Sequence, residues 1–134
     1  MRLHISMQVD QFDKAVGFYS MLFGEDPSVV RDSYAKWDLK NPNVNFVIEA
    51  LGNEVRVDHL GIQAESEEEL QTIAARMRDS GQPFLDVENA QCCYANLDKA
   101  WVKGMAGEKW EAFFTHGQSE QEYGEDREHL LDVM

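Results

Sequence analysis

The sequence has few basic residues, few cysteines and no long apolar segment, and each scarcity excludes a class of protein. It carries 12 Lys and Arg residues against 25 Asp and Glu, a formal net charge of −13. Nucleic acid and anionic membrane surfaces would repel such a chain, so we expect neither as a partner. There is no apolar run of about eighteen residues, and the first five residues lack the long apolar segment of a signal peptide. We therefore expect a cytoplasmic protein.

The two cysteines of the chain are adjacent, at Cys92 and Cys93. A disulfide between sequence neighbours requires a strained turn, and a reducing cytosol disfavours it. The surrounding residues predict a strand over 91–97, in which neighbouring side chains point to opposite faces, so both sulfurs reach one atom only if a bulge intervenes. Two adjacent thiols indicate a site for a soft metal or metalloid; the alternative is a pair of small buried hydrophobic residues.

The order of predicted elements indicates one α+β domain over 1–134 that is built from two similar modules. Of the 134 residues, 43% are hydrophobic, which is enough for a real core. Periodicity predicts strand, helix and three strands in module one, about 1–52, and the same order in module two, about 55–116, before an acidic tail over 117–134. Asp10 and Ser66 are the predicted N-caps, and Gly24 and Gly81 the predicted stops. Strands are predicted at 3–9, 28–31, 34–39, 44–51, 57–64, 83–87, 91–97, 99–102 and 109–115.

Histidine and glutamate recur at corresponding places in the two modules. His4 and His59 lie on the two first strands, 59 − 4 = 55 residues apart. The last strands are matched through Ile48-Glu49-Ala50 and Trp110-Glu111-Ala112, so each module offers one glutamate. A buried strand histidine needs a partner that offsets its desolvation. The histidines are either satisfied sheet residues or part of a set of two histidines and one carboxylate, which holds divalent iron with open coordination positions.

The other histidines and the large aromatic residues have simpler interpretations. His116 and His129 lie at or beyond the last predicted strand and are expected at the surface. Four aromatic residues are expected in the core, and one or two of them could line a cavity wall: Trp37, Tyr94, Trp101 and Trp110.

Five sequence motifs together carry a family resemblance: Tyr34-Ala35-Lys36-Trp37, Asp58-His59-Leu60-Gly61-Ile62-Gln63, Cys92-Cys93-Tyr94-Ala95, Asp98-Lys99-Ala100-Trp101-Val102 and Trp110-Glu111-Ala112-Phe113. The chain resembles the vicinal oxygen chelate superfamily, which includes glyoxalases, bleomycin-resistance proteins and extradiol dioxygenases. The resemblance covers both modules to about residue 115. Within the superfamily, the chain is most similar to carbon-arsenic lyases and cadmium-induced proteins.

This resemblance implies a mixed sheet around a metal-binding cavity and an enzyme of arsenical detoxification. His4, His59 and Glu111 would hold Fe(II), with Ni, Zn or Mn as alternatives, and O2 would be the co-substrate. Cys92 and Cys93 would capture a trivalent organoarsenical, whose carbon-arsenic bond is cleaved with release of arsenite. The resemblance also implies a homodimer.

Lys99 follows the cysteines on the same predicted stretch of chain. Its charge would lower a thiol pKa, or its ammonium would contact the substrate. The alternative is an exposed strand lysine without a role in the site.

Glu49 raises an alternative within the same fold. It stands in a Val-Ile-Glu context where glyoxalase-type members carry a fourth ligand, and a fourth protein ligand closes a coordination position that oxygen chemistry needs. A glyoxalase-like lyase or an extradiol-type dioxygenase is therefore a second hypothesis. A third is a non-catalytic protein that sequesters cadmium or arsenite through the same thiols.

Overall fold

The structure is a computed structural model, and it describes residues 1–91 and 96–116. It confirms the predicted duplication, because the order strand, helix, strand, strand, strand occurs twice along the chain. The elements are β1 (Arg2–Gln8), α1 (Phe12–Phe23), β2 (Val29–Arg31), β3 (Tyr34–Lys40), β4 (Asn43–Glu49), β5 (Arg56–Gln63), α2 (Glu67–Asp79), β6 (Phe84–Gln91), β7 (Asn96–Lys103) and β8 (Lys109–His116).

The chain forms two compact units, one over Arg2–His59 and one from Leu60 onward together with Met1. Strand β5 begins in the first unit and continues into the second. The strand order is β2-β3-β4-β1-β5 in the first unit and β5-β8-β7-β6 in the second. Strand β4 runs parallel to β1, and β8 runs parallel to β5, whereas β3 pairs antiparallel with β4 and β7 with β8. The predicted mixed sheet of an α+β fold is therefore confirmed.

Helix α1 packs on an apolar face of the first unit. It ends at Gly24, whose φ of 75° is the left-handed conformation that glycine adopts without a steric penalty. The predicted N-cap is wrong, because Gln11 rather than Asp10 holds that position and makes no side-chain cap hydrogen bond. The core beneath the helix includes the following buried residues: Val9, Ala35, Trp37, Leu39, Phe46 and Ile48.

Helix α2 covers the corresponding face of the second unit and begins as predicted. The Ser66 hydroxyl accepts a hydrogen bond from the Glu69 backbone N–H at 3.0 Å, which satisfies one of the unpaired donors of the first turn. The helix ends at Asp79, two residues before Gly81. Its buried apolar residues pack on the sheet in one cluster: Ala64, Leu70, Ile73, Ala74, Met77, Ala100 and Ala112.

Buried polar side chains occupy the opposite face of the sheet in each unit. Alternation along a strand sends successive side chains to opposite faces, and residues opposite each other in register share a face. In the first unit His4 lies opposite Asn45, and Ser6 opposite Val47, which in turn lies opposite Lys36. The buried polar or charged residues of the described chain are His4, Ser6, Lys36, Asn45, Lys99 and Glu111. None of the six belongs to a helix-covered cluster, so each unit has an apolar face and a polar face.

The predicted strand at 91–97 is wrong, whereas the predicted strand at 99–102 falls within β7, which begins earlier, at Asn96. Gln91 ends β6 and Asn96 begins β7, and the two residues lie opposite each other in an antiparallel pair. A single strand therefore cannot contain both. Residues 92–95 have neither glycine nor proline to mark the boundary, which is why hydrophobic pattern alone did not separate the two strands.

The expectation that the large aromatic residues lie in the core is confirmed for Trp37 and Trp101. Trp37 and Trp101 are 0% and 1% exposed. Trp110 is half-buried and packs against the cluster under α2. Tyr94 lies outside the described residues.

Candidate metal centre

Two histidine side chains face each other on the polar face of the first unit. His4 on β1 is 6% exposed, and its Nε2 lies 3.2 Å from Nε2 of His59 on β5. The 55-residue spacing in the sequence therefore corresponds to a direct contact between the rings. Both histidines lie on the face of the sheet that carries the buried polar groups.

Hydrogen bonds at the far side of each ring fix the tautomers. Nδ1 of His4 lies 3.1 Å from the backbone oxygen of Asn45, and 3.1 Å from its side-chain oxygen. Nδ1 of His59 lies 2.8 Å from the Asp58 carboxylate. An oxygen acceptor requires a proton on the nitrogen that faces it, so Nδ1–H donates in both rings and each Nε2 presents a lone pair.

Two ring nitrogens at this distance can bind one ion between them. Metal-imidazole bonds are about 2.0–2.1 Å long, and two of them at an angle of roughly 90–110° separate the nitrogens by about 2.8–3.4 Å. The observed 3.2 Å between the two Nε2 atoms falls in that range. The residues present therefore fit a divalent metal ion bound by both imidazoles.

Glu111 is the buried carboxylate on the polar face of the second unit. It stands on β8 opposite Gly61 of β5, and its side chain is 8% exposed. A carboxylate buried to this degree needs a cationic partner.

Lys99 supplies such a partner. Its Nζ lies 3.0 Å from Oε2 of Glu111, and its side chain is 9% exposed. The alternative of an exposed strand lysine is therefore wrong. The contact is a charge-assisted hydrogen bond, and it restrains the orientation of the Glu111 carboxylate. The structure thus brings His4 and His59 together in the first unit, and Lys99 and Glu111 together in the second.

The matching of Glu49 with Glu111 is wrong. In the first unit the residue opposite Ser6, two positions after His4, is Val47; in the second unit the residue at the same offset from His59 is Glu111. Glu49 lies four residues beyond Asn45 on β4, about 13 Å along the strand. Since His4 contacts Asn45, Glu49 is too distant to bind the same ion as His4.

The structure describes neither the cysteine pair nor the side chains of the last two histidines. Cys92 and Cys93 lie outside the described residues, between the paired ends of β6 and β7 in sequence. For His116 the structure describes the backbone at the end of β8. His129 lies outside the described residues.

Sequence reasoning missed the residues behind the two histidines. Asp58 immediately precedes His59, and an acidic residue inside a strand next to a histidine was an available signal for it. Asn45 interrupts the apolar run of β4, which was a weaker signal. Each makes the hydrogen bond that sets the tautomer of its histidine.

Comparison with solved structures places this fold in a known superfamily. A methylmalonyl-CoA epimerase of Streptomyces coelicolor aligns with a TM-score of 0.59 at 15% identity, over 85% of this chain and 96% of the other. A glyoxalase/bleomycin resistance protein/dioxygenase superfamily member of Vibrio splendidus aligns with a TM-score of 0.57 at 15% identity, over 86% and 98%. The chain has the fold of the glyoxalase, bleomycin-resistance and dioxygenase superfamily.

Relatives with similar sequences identify the family within this superfamily. A trivalent organoarsenical cleaving enzyme of Thermomonospora curvata is 36% identical over 89% of this chain and 80% of its own length. One of a Bacillus species is 39% identical over 84% and 71%, and the cadmium-induced protein CadI of Mycobacterium tuberculosis is 31% identical over 89% and 79%. The chain belongs to this family of trivalent organoarsenical cleaving enzymes and CadI proteins. No family model matches the sequence.

Among the helices of the described residues, none has the length and apolar character needed to cross a bilayer.

Proposed function

We propose that this protein is a metal-dependent lyase that cleaves the carbon-arsenic bond of trivalent organoarsenicals and releases arsenite. The convergence of the His4 and His59 Nε2 lone pairs at 3.2 Å carries the metal part of the proposal. The names of relatives at 34% to 39% identity support the substrate class. The adjacent cysteines supply the ligand type that trivalent arsenic prefers.

The proposed metal ligands are His4, His59 and Glu111, whose side chains are of the types that hold a metal ion as a group. Two imidazoles and one carboxylate leave coordination positions open, and Fe(II) held in this way supplies oxygen chemistry. Asn45 and Asp58 keep each ring in the tautomer that offers Nε2. Lys99 contacts Oε2 of Glu111 and so helps to orient the carboxylate.

Cys92 and Cys93 are the proposed substrate ligands. Each thiol replaces one hydroxyl group on trivalent arsenic, so a sulfur-arsenic bond forms, an arsenic-oxygen bond breaks and the thiol proton leaves in water. Two such bonds fix the arsenic and thereby the carbon attached to it, so positioning supplies much of the rate. Whether Lys99 also lowers a thiol pKa or contacts the substrate stays a prediction.

The overall reaction balances with dioxygen as the oxidant. Methylarsenite and one molecule of O2 give formaldehyde and arsenous acid. The carbon is oxidised and dioxygen is reduced, while arsenic remains trivalent. Formaldehyde is therefore expected in an amount equal to the arsenite released.

The proposal favours an oxygen-using lyase over a glyoxalase-like enzyme. A four-ligand site of the glyoxalase type would need a carboxylate in the first unit at the position of Glu111. Val47 holds that position and is 5% exposed. Three protein ligands match the requirement for open coordination positions.

Sequestration is the second candidate function, because the cadmium-induced CadI proteins are among the relatives. Turnover separates the two: a lyase releases many equivalents of arsenite per chain, whereas a sequestering protein binds at most a fixed number of equivalents and releases none. The test is aerobic incubation of the Fe(II)-loaded protein with excess methylarsenite. Cys92→Ser is expected to abolish turnover and to leave metal content unchanged, while His59→Ala is expected to lose both.

The proposal extends to the setting of the enzyme. We predict a cytoplasmic homodimer that takes part in arsenical resistance. Analytical ultracentrifugation of the purified protein tests the dimer, and cell fractionation tests the compartment.

A further inference from the structure

The two histidines differ in what stands behind them. Nδ1–H of His59 donates to the Asp58 carboxylate at 2.8 Å, whereas Nδ1–H of His4 faces two neutral oxygens of Asn45 at 3.1 Å each. A carboxylate is a stronger acceptor than an amide oxygen, and the bond to it is the shorter of the two kinds. It raises the electron density on Nε2, the nitrogen that binds a metal. His59 is therefore the stronger donor of the pair.

Asp58 is itself held in place by a second residue. Its Oδ1 lies 3.0 Å from Nη2 of Arg56, while its Oδ2 bonds His59. Arg56 and Asp58 are two residues apart on β5 and so project from one face, whereas Asp58 and His59 are neighbours and project from opposite faces. The carboxylate must turn back toward the ring to reach it. The bond to Arg56 fixes the carboxylate in an orientation from which its other oxygen meets Nδ1.

Burial makes this arrangement effective. The side chains of Asp58 and His59 are 15% and 13% exposed, so water screens their interaction only in part. Arg56 is 46% exposed, so solvent contacts part of its guanidinium. Its Nε also forms an ion pair with Glu54 at 3.2 Å. The contact between the Asp58 carboxylate and the His59 ring thus lies at a partly buried position.

We propose that Asp58, oriented by Arg56, is the positioning residue that sets the metal affinity of this site through His59. The inference rests on the proposed metal site, since it assigns a role toward the ion that His4, His59 and Glu111 hold. It predicts that removing the carboxylate that accepts from His59 weakens metal binding more than removing a carboxylate that pairs with an arginine but bonds no histidine. Arg56 acts one step further away and has a smaller effect.

The test measures metal affinity directly, by competition of the purified protein with a chromogenic chelator for Co²⁺ and, without oxygen, for Fe²⁺. Asp58→Asn is expected to weaken binding about 10- to 100-fold, and Arg56→Gln several-fold, whereas Arg56→Lys should recover part of the loss. Asp38→Asn is the matched control, because Asp38 also pairs with an arginine, Arg2, but bonds neither histidine. Its affinity should stay within about twofold of the unmodified protein.

A second readout needs no metal. Nitrogen-15 NMR of the metal-free protein should show His59 as the Nδ1–H tautomer with a proton shifted downfield by its carboxylate partner, and Asp58→Asn should remove that shift while the other imidazole signals stay. A general structural disturbance would move both histidines together. If Asp58→Asn fails to fold, Asp58→Glu serves in its place, and it should restore part of the affinity.

The outcomes separate the two proposals. Metal binding that is tight in the unmodified protein and equally tight in Asp58→Asn overturns the role of Asp58 and leaves the metal site standing. An unmodified protein that binds no more metal than His59→Ala overturns the metal site, and the role of Asp58 falls with it. Metal affinity that is lost in Asp58→Asn and Arg56→Gln but kept in Asp38→Asn supports both the metal site and the role of Asp58.

Discussion

Val47 on β4 lies at the same offset from His4 as Glu111 on β8 lies from His59. The two modules thus repeat the histidine but not the carboxylate. Because Val47 is apolar and buried, module one offers an imidazole but no carboxylate at the position of Glu111. This asymmetry is the structural basis for expecting three protein ligands rather than four.

The first prediction separates the two glutamates. Glu111→Gln should weaken metal binding at least about tenfold, since it removes a proposed ligand oxygen and its charge. Glu49→Gln should leave the affinity unchanged, because Glu49 lies four residues along β4 from the level of His4. Isothermal titration of the metal-free proteins measures both. An equal loss in the two variants would contradict the register assignment and favour a glyoxalase-like site.

The second prediction concerns the ion pair between Lys99 and Glu111. Lys99→Met removes the ammonium 3.0 Å from a buried carboxylate, and breaking a buried pair costs about 3–5 kcal/mol. Urea unfolding of the metal-free protein should show that loss. The double variant Lys99→Met with Glu111→Met should recover much of it, because neither charge then remains. Lys40→Met, at an exposed position, is the control and should change the free energy of unfolding by less than about 0.5 kcal/mol.

The third prediction tests the start of α2. Ser66→Ala removes the hydroxyl that accepts from the Glu69 N–H, and the loss of such a cap costs about 1 kcal/mol. Ser66→Asp keeps an acceptor at the same place and should restore stability. Thermal unfolding under two-state conditions measures both variants. A Ser66→Ala protein as stable as the parent would show that this cap does not contribute.

The fourth prediction follows from the turn between β7 and β8. The Glu108 carboxylate accepts hydrogen bonds from Trp110 Nε1 at 3.0 Å and from the Ala106 N–H at 2.9 Å. The bond from Trp110 is the larger cause that lowers the pKa of Glu108 below its ordinary value of 4.5. A lowered folded-state pKa means that the stabilisation is present above the unfolded-state pKa and is lost as pH falls through the folded-state pKa.

The stability difference between the parent and Glu108→Gln should therefore be largest near neutral pH and should shrink in acid, below the ordinary carboxyl pKa. Denaturant titrations at a series of pH values give this difference. A difference that is independent of pH would show that the ionised form of Glu108 is not the one that the turn stabilises.

Sequence pattern was sufficient for the order of elements and for the two histidines. Alternation in β1, with Gly24 and Ser66 as helix signals, predicts several of the element bounds. His4 and His59 stood out because each lies on the first strand of its module.

The equivalence of Glu49 and Glu111 failed for a physical reason. Side chains on a strand repeat every two residues, so shifting β4 by two positions leaves every residue on the same face. Glu49 and Val47 both belong to the polar face, so alternation between faces does not show which of them corresponds to Glu111. Only the pairing of β4 with β1 shows that Val47, and not Glu49, corresponds to Glu111.

Asp58 shows a second limit of what a sequence pattern can predict. Its carboxylate bonds the ring of the next residue, although neighbours on a strand start out on opposite faces. That contact depends on side-chain torsions and on Arg56, which a sequence pattern does not specify. The boundary between β6 and β7 was also hidden, since the residues around Cys92 and Cys93 carry no conventional turn signal.

The most direct test of the proposed function is the stoichiometry of one reaction. The protein is loaded with Fe(II) without oxygen and mixed with excess methylarsenite, and air is then admitted while arsenite, formaldehyde and consumed O2 are measured. We predict no arsenite before air, then equal amounts of all three over many turnovers, with none from the Cys92→Ser or His59→Ala protein. Unchanged methylarsenite after air is admitted, with iron and arsenical both bound, would contradict the proposed lyase activity.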